Sequence, residues 1–90
     1  MLEGRVTVVN DLGLHARAAA QLVRLAGKYR SRITLPRDDS GAFANAKSIL
    51  SVLALAASIG TVLTLEADGA DEQEAFDAVS NVFAEGFGEM

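Results

Sequence analysis

The chain contains one histidine, His15, at the point where a turn meets a predicted helix. The segment Gly13 to Arg17 places the imidazole beside the first backbone amides of that helix. Those amides have no acceptor within the helix and lie at the positive end of its dipole, so they favour an anion. Because neutral imidazole is a nucleophile at physiological pH, the placement indicates phosphoryl chemistry. The alternative is a surface histidine that merely begins a helix.

The residues after His15 have properties that suit a phosphate group. The backbone amides of Ala16, Arg17 and Ala18 are expected to point at a phosphate carried by the imidazole. The Arg17 guanidinium can add a fixed positive charge and directional hydrogen bonds to phosphate oxygens. We therefore expect His15 to be the phosphoryl acceptor and Arg17 to position the group.

No self-contained active site accompanies the histidine. One histidine without cysteine, and without carboxylates at ligand spacing, cannot assemble a usual metal site. No serine lies in a nucleophile-elbow pattern, and no pair of glutamates is placed for hydrolysis. We expect neither a metal nor a cofactor. This pattern is typical of a carrier whose partner enzymes supply the catalysis, rather than of a complete enzyme.

Length and composition indicate a small cytoplasmic protein. Ninety residues suit a single domain over 1–90, and the content of 50% hydrophobic but 6% aromatic residues predicts an aliphatic core. The net charge of −4 argues against general nucleic-acid binding. The N-terminus does not resemble a signal peptide, and the apolar stretch 49–59 is far shorter than the ~20 residues of a membrane helix. We expect a monomer with no membrane association.

Periodicity predicts four strands and three helices in the order β-α-β-β-α-β-α. Alternating residues predict strands over 5–9, 32–35, 42–45 and 61–66. Helical spacing predicts helices over 16–29, from 48 to near 60, and from about 71 to near 86. Four strands with one face to cover, and three helices to cover it, indicate a two-layer α+β domain.

The second predicted helix is short and apolar. Ser48 is a favoured residue for its N-cap. After it, Ile49, Leu50, Leu53 and Ala57 share a broad apolar face, and some of this face is expected to be core, since a helix that lies on a sheet must bury one side.

Two segments of the chain resemble one known family. The segment Gly13 to Arg17 resembles the histidine site of HPr, the phosphocarrier of the bacterial phosphoenolpyruvate-dependent sugar phosphotransferase system. The segment Ala46 to Leu50 resembles the regulatory-serine segment of the same family, at the expected distance after the histidine. The element order also matches the family's open-faced β-sandwich, with a four-stranded antiparallel sheet covered on one face by three helices.

The resemblance implies a role, partners and a docking surface. His15 would accept phosphate at Nδ1 from phosphorylated enzyme I and donate it to the enzyme II A domains of sugar permeases. Family docking uses basic residues of the first helix and apolar residues of the short helix, matched here by Arg24, Lys28, Ile49, Leu50 and Leu53. The resemblance implies that phosphoenolpyruvate is bound by enzyme I and not by this chain.

The resemblance also implies regulation at Ser48. Some family members are phosphorylated at this serine by HPr kinase/phosphorylase. A phosphate there would place about −1.5 to −2 charges in the docking patch and repel acidic partners. The capping preference of serine explains the residue equally well without any regulation.

One departure from the family pattern leaves a second function open. The family usually has proline directly after the arginine, whereas this chain has Ala18. The alternative to a sugar carrier is a regulatory module of the same fold, in a phosphorelay that is not coupled to sugar uptake. An RNA-binding sandwich is a third class, but it needs several exposed aromatic side chains on the sheet, and Phe43 alone is a poor platform.

Overall fold

The computed structural model describes residues 1–89 and confirms the predicted order of elements. The elements are β1 (Leu2–Thr7), α1 (Ala16–Ala26), β2 (Arg32–Pro36), β3 (Phe43–Asn45), α2 (Ile49–Ala54), β4 (Val62–Asp68) and α3 (Glu72–Ala84), followed by a 3₁₀ turn at Gly86–Gly88. Three helices pack on one side of the strands, as in an open-faced β-sandwich. None of the helices within residues 1–89 is long and apolar enough to cross a bilayer.

The four strands form one antiparallel sheet in the order β1-β4-β2-β3. Val6 of β1 is paired with Leu63 of β4, and Leu35 of β2 with Ala44 of β3. Side chains alternate between the faces of a strand, so these four lie on the buried face while their neighbours, such as Thr64, lie on the open face. The predicted α+β fold with one covered face is confirmed.

The core lies between this sheet and the helices, and it is mainly aliphatic. Small residues on the buried face of α1, among them Ala19 and Ala26, let the helix approach the sheet closely. Two aromatic rings complete the core at the C-terminal end, where Phe83 and Phe87 meet edge to face with centroids 5.1 Å apart. The 3₁₀ turn is thereby attached to the core.

Several element boundaries differ from the predictions because long-range pairing or caps determine them. β1 covers Leu2–Thr7 instead of 5–9, and β4 continues to Asp68 instead of ending at 66, since each extends as far as its partner strand. α1 ends at Ala26 instead of 29. Beyond its end the amides of Lys28 and Tyr29 donate to carbonyls only three residues back, as in the tighter turns of a 3₁₀ helix.

The short helix α2 is shorter than predicted and buries only part of its apolar face. It ends at Ala54, because Ala56 takes a φ of +51° and turns the chain out of the helix. Val52 is its fully buried residue, whereas Leu50 is 76% exposed and Ile49 is 39% exposed. Of the predicted apolar face, Leu53 is half-buried and Ala57 is buried, so part of this face packs on the core while Ile49 and Leu50 do not. A helix of fewer than two turns shows too little periodicity for the sequence to identify its buried side.

Candidate functional site

His15 is the N-cap residue of α1 and is fixed by the turn before it. Its backbone is extended, with φ −71° and ψ 178°, and its Nδ1 accepts a hydrogen bond from the Arg17 amide at 3.3 Å. The preceding Leu14 is buried, and its amide donates to the carbonyl of Ala57 at 2.9 Å. Gly13 has φ +67°, and a Cβ there would lie 2.6 Å from the same carbonyl oxygen. The turn therefore requires glycine at this position and rests directly on the segment after α2.

A carboxylate from the far end of the chain holds the other side of the imidazole. His15 Nε2 and Glu89 Oε2 lie 2.5 Å apart. The other oxygen of Glu89 accepts from the Asn10 side-chain amide at 2.9 Å, and that amide also donates to the Gly13 carbonyl at 2.9 Å. The side chains of His15 and Glu89 are 25% and 17% exposed, so water reaches the pair only partly.

The C-terminal turn positions Glu89. Gly86, Phe87 and Gly88 all have positive φ, between 57° and 75°, which curls the chain back toward α1. Phe87 is 4% exposed and packs on Phe83, so burial stabilises a backbone conformation that a non-glycine residue rarely adopts. This buried ring holds the turn against the core and places the carboxylate beside His15.

These contacts determine which nitrogen of His15 carries the proton. Nδ1 accepts a hydrogen bond from an amide, and Nε2 faces a carboxylate, so the neutral ring carries its proton on Nε2. The side-chain hydrogen bond from Asn10 lowers the pKa of Glu89 most, and the bond and charge of His15 and the charge of Arg17 lower it further. Glu89 is thus a carboxylate at neutral pH, and the lone pair of the ring lies on Nδ1, at the helix N-terminus.

The surroundings of Nδ1 can receive an anion. The first turn of α1 contains no acidic residue, and the amides of Ala16 and Ala18 have no acceptor within residues 1–89. The Arg17 side chain is exposed and lines an open cleft of about 540 Å³ together with Leu12, Gly88 and two acidic residues, Asp11 and Glu89. The first turn is therefore the positive part of an otherwise mixed surface.

The remaining predicted site residues lie on α1 and α2. Arg24 and Lys28 are exposed and border a groove between α1 and α3. Leu53 is half-buried and packs against the core, in contrast to the more exposed Ile49 and Leu50. Ser48 caps α2, because its hydroxyl oxygen accepts from the amide of Ser51 at 3.3 Å.

Two residues of the site were missed by the sequence analysis. These residues are Asn10 and Glu89. Asn10 is completely buried, and its Oδ1 has no hydrogen-bond partner within residues 1–89. Glu89 is 74 residues from His15 along the chain, and no local pattern marks such a contact.

Comparisons with known proteins all point to phosphocarriers of one family. Residues 2–85 match a family model described as the PTS HPr component phosphorylation site. The chain is 51% identical over 89 residues to the phosphocarrier protein HPr of Cupriavidus necator, covering 99% of this chain and 98% of that one. It is 41% identical over 85 residues to the phosphocarrier protein NPr of Proteus mirabilis, covering 94% and 93%. A crystal structure of HPr-C-His from Thermoanaerobacter tengcongensis superposes with a TM-score of 0.92 at 40% identity, covering 100% and 99%.

Proposed function

Because the chain belongs to the HPr family of phosphocarriers of the phosphotransferase system, we propose that His15 accepts a phosphoryl group at Nδ1 from phosphorylated enzyme I. The carrier then passes the group to enzyme II A domains of sugar permeases. The observation that supports this best is the pair of contacts on the imidazole, which directs its lone pair toward the N-terminus of α1.

The proposed transfer needs no acid or base from this chain to move a proton. The Nδ1 lone pair attacks the phosphorus atom, the new N–P bond forms, and the bond from phosphorus to the donor nitrogen of enzyme I breaks. The imidazole ring becomes positively charged and keeps its proton on Nε2, where the carboxylate of Glu89 stabilises it. The long hydrogen bond from the Arg17 amide to Nδ1 is replaced by one to a phosphate oxygen.

The same surroundings suit reversible transfer. Arg17 is free to bind phosphate oxygens from the solvent side, while the amides of Ala16 and Ala18 point out of the helix end. The exposed apolar side chains of Ile49 and Leu50 and the basic side chains of α1 would contact an apolar and acidic partner surface. Such electrostatic steering speeds encounter without requiring tight binding, which a carrier needs in order to release its partner.

The first experiment is phosphorylation by enzyme I with magnesium and phosphoenolpyruvate. Wild type and His15→Ala are compared by intact mass, and the adduct is tested for acid lability. We expect an acid-labile phosphate on wild type alone, since a phosphoramidate hydrolyses readily in acid. No phosphate on wild type, when a known HPr is labelled in the same tube, would contradict the proposal. Phosphate on both proteins would move the acceptor away from His15.

We further propose that Ser48 is a regulatory phosphorylation site for a kinase of the HPr kinase/phosphorylase type. Its hydroxyl lies at the start of α2, directly before the exposed Ile49 and Leu50. Added negative charge there would oppose docking of an acidic partner. Ser48→Asp should slow phosphorylation of His15 with little change in Tm. The matched variant Ser40→Asp, in the exposed β2–β3 turn, should leave the rate of phosphorylation unchanged. Equal rates in the two variants would remove the proposal.

A second candidate function is a regulatory phosphorelay that does not feed sugar uptake. The presence of Ala18 in place of the family proline leaves room for such a specialised carrier. The two candidates differ in their acceptors. Phosphorylated carrier is offered to sugar-specific A domains and to A domains of regulatory phosphorelays, and the faster acceptor identifies the pathway.

For both candidate functions, we propose that residues 1–90 form one cytoplasmic domain that acts as a monomer. Sedimentation of the purified protein tests the monomeric state.

A further inference from the structure

Arg37, at the end of β2, joins two parts of the structure that are separate in sequence. Its guanidinium Nη1 donates to the carbonyl of Leu55 at 2.8 Å and to that of Ala56 at 3.4 Å. Its Nε and Nη2 donate to the two carboxylate oxygens of Asp39, at 2.6 and 3.2 Å. The Arg37 side chain is only 21% exposed although it lies beside a surface turn. Arg37 is thus held in place by its own hairpin while it binds the end of α2.

The carbonyls that Arg37 binds are those left without partners where α2 ends. Leu55 is the C-cap residue, and α2 has no basic residue in its own last turn. A positive charge at a helix C-terminus is favourable, because the carbonyl ends of the peptide dipoles gather there. The next residue, Ala56, has a φ of +51°, which a residue with a Cβ adopts only when its surroundings hold it. The Ala56 amide donates to the Leu53 carbonyl at 3.1 Å, and Arg37 binds the carbonyls of Leu55 and Ala56 on the other side of this residue.

The segment held in this way is also the support of the His15 turn. The carbonyl of Ala57 accepts from the amide of Leu14 at 2.9 Å, one residue before His15. The absent side chain of Gly13 lets the two backbones approach, since a Cβ there would lie 2.6 Å from the Ala57 oxygen and 2.9 Å from Cα of Ser58. A shift of Ala57 therefore moves Leu14 directly, and with it the backbone of the N-cap.

We propose that Arg37 is a positioning residue for phosphoryl transfer. It fixes the segment after α2 in the position where the Ala57 carbonyl accepts from the Leu14 amide, and this contact aligns the imidazole of His15. The proposal rests on the proposed function of His15. Arg37 contacts neither His15 nor any phosphate-binding group described above. Its effect passes through three carbonyl contacts, to Leu55 and Ala56 from the guanidinium and to Leu14 from Ala57.

The test compares Arg37→Gln with a matched control, Arg5→Gln. Arg5 also pairs with an aspartate of the β2–β3 hairpin, Asp38, at 3.7 Å, but within residues 1–89 it makes no hydrogen bond or ion pair with α2. Two quantities are measured: exchange of the Leu14 amide with solvent in the unphosphorylated protein, and kcat and KM for phosphorylation by enzyme I. We expect Arg37→Gln to speed Leu14 exchange about tenfold. We expect kcat to fall roughly 3- to 10-fold with little change in KM, since misalignment affects the reaction more than docking.

Two further variants keep the result interpretable. Asp39→Asn weakens the hold on the guanidinium but leaves the bonds from Arg37 to Leu55 and Ala56 possible, so both quantities should lie between wild type and the values expected for Arg37→Gln. If Arg37→Gln does not fold, Arg37→Lys replaces it, because it retains the charge and one donor, and both quantities should then lie between wild type and the values expected for Gln.

Unchanged Leu14 exchange in Arg37→Gln would overturn the inference, and so would faster exchange with unchanged kcat. An equal effect of Arg5→Gln would overturn it as well, because the hairpin rather than the α2 carbonyls would then be responsible. Failure of the proposed function is recognised separately, since wild type would then not be phosphorylated while the exchange measurement still reports on Leu14.

Discussion

The two longer helices, α1 and α3, begin in opposite ways. At the start of α3, the carboxylate of Asp71 accepts from the Ser31 hydroxyl at 2.6 Å and from the amides of Arg30 and Ser31 at 2.9 Å each. Glu72 accepts from the Gly69 amide and pairs with the N-terminal ammonium group. The hydrogen bond from the Ser31 side chain, followed by that from the Arg30 amide, lowers the pKa of Asp71 to about 2.

The start of α1 contains no carboxylate of its own. Its cap is the imidazole of His15, whose hydrogen bond to the Arg17 amide is long, and its first turn has no acidic residue. The two helix starts therefore differ in electrostatics. At α3 the chain provides the negative charge that the helix end favours, so the energy stabilises the fold. At α1 no such charge is provided, and in the proposed function this position receives the phosphoryl group.

The largest effect is expected when α1 is made to resemble α3. Ala16→Glu places a carboxylate in the first turn of α1, where Glu72 lies in α3. Phosphorylation of His15 should slow by about 100-fold, because the carboxylate repels the incoming phosphoryl group. The Tm should stay equal or rise slightly, since a negative charge suits a helix start. Initial rates with enzyme I and thermal unfolding measure both. Ala16→Gln is the uncharged control, and an equal loss of rate in that variant would contradict the electrostatic explanation.

Removal of the carboxylate behind His15 should have the next largest effect. Glu89→Gln retains the shape of the side chain but loses the charge that stabilises the ring during transfer. We expect phosphorylation to slow by about tenfold, with Tm nearly unchanged. The rate of His15 phosphorylation is measured by stopped flow or quench flow. Glu85→Gln removes a nearby exposed carboxylate that does not contact His15, and only a difference between these two variants supports the role of Glu89.

The corresponding change at α3 should affect stability and leave transfer intact. Asp71→Asn removes the negative charge of a carboxylate that accepts three hydrogen bonds, so Tm at pH 7 should fall by about 5 °C. Because the folded-state pKa is about 2 and the ordinary value is 3.8, the contribution of Asp71 is complete above pH 4 and is lost as pH falls toward 2. The Tm difference from wild type should therefore shrink over that range. A constant difference, or a slower phosphorylation of His15, would contradict the division between the two helix starts.

The smallest effect is expected at Ala18. Its amide has no acceptor within residues 1–89, so Ala18→Pro removes no hydrogen bond of the fold and restricts the unfolded chain. Tm should rise by about 3 °C, with a phosphorylation rate within about twofold of wild type. Circular dichroism and the enzyme I assay provide the two values. A large loss of rate would show that the amide of Ala18 binds the phosphoryl group. A fall in Tm would show that the proline ring does not fit into the buried site that the Ala18 side chain occupies.

Much of the fold could be predicted from the sequence, because strand alternation and helix periodicity are local. The order of elements and the cap at Ser48 are of this kind. The extents of β1 and β4 are not, since they depend on the partner strands. The buried side of α2 is not either, because it depends on how a helix of fewer than two turns meets the core.

The candidate site divides in the same way. The sequence by itself determined that the only imidazole begins a helix whose first turn has no carboxylate, because composition and spacing are properties of the chain. Only the tertiary structure decided how that imidazole is oriented. Glu89, itself held by the Asn10 amide, contacts Nε2, and Arg37 supports the segment beneath the imidazole, through contacts that join residues up to 79 positions apart. Such contacts exist only after the sheet and core have brought distant segments together, so no local pattern records them.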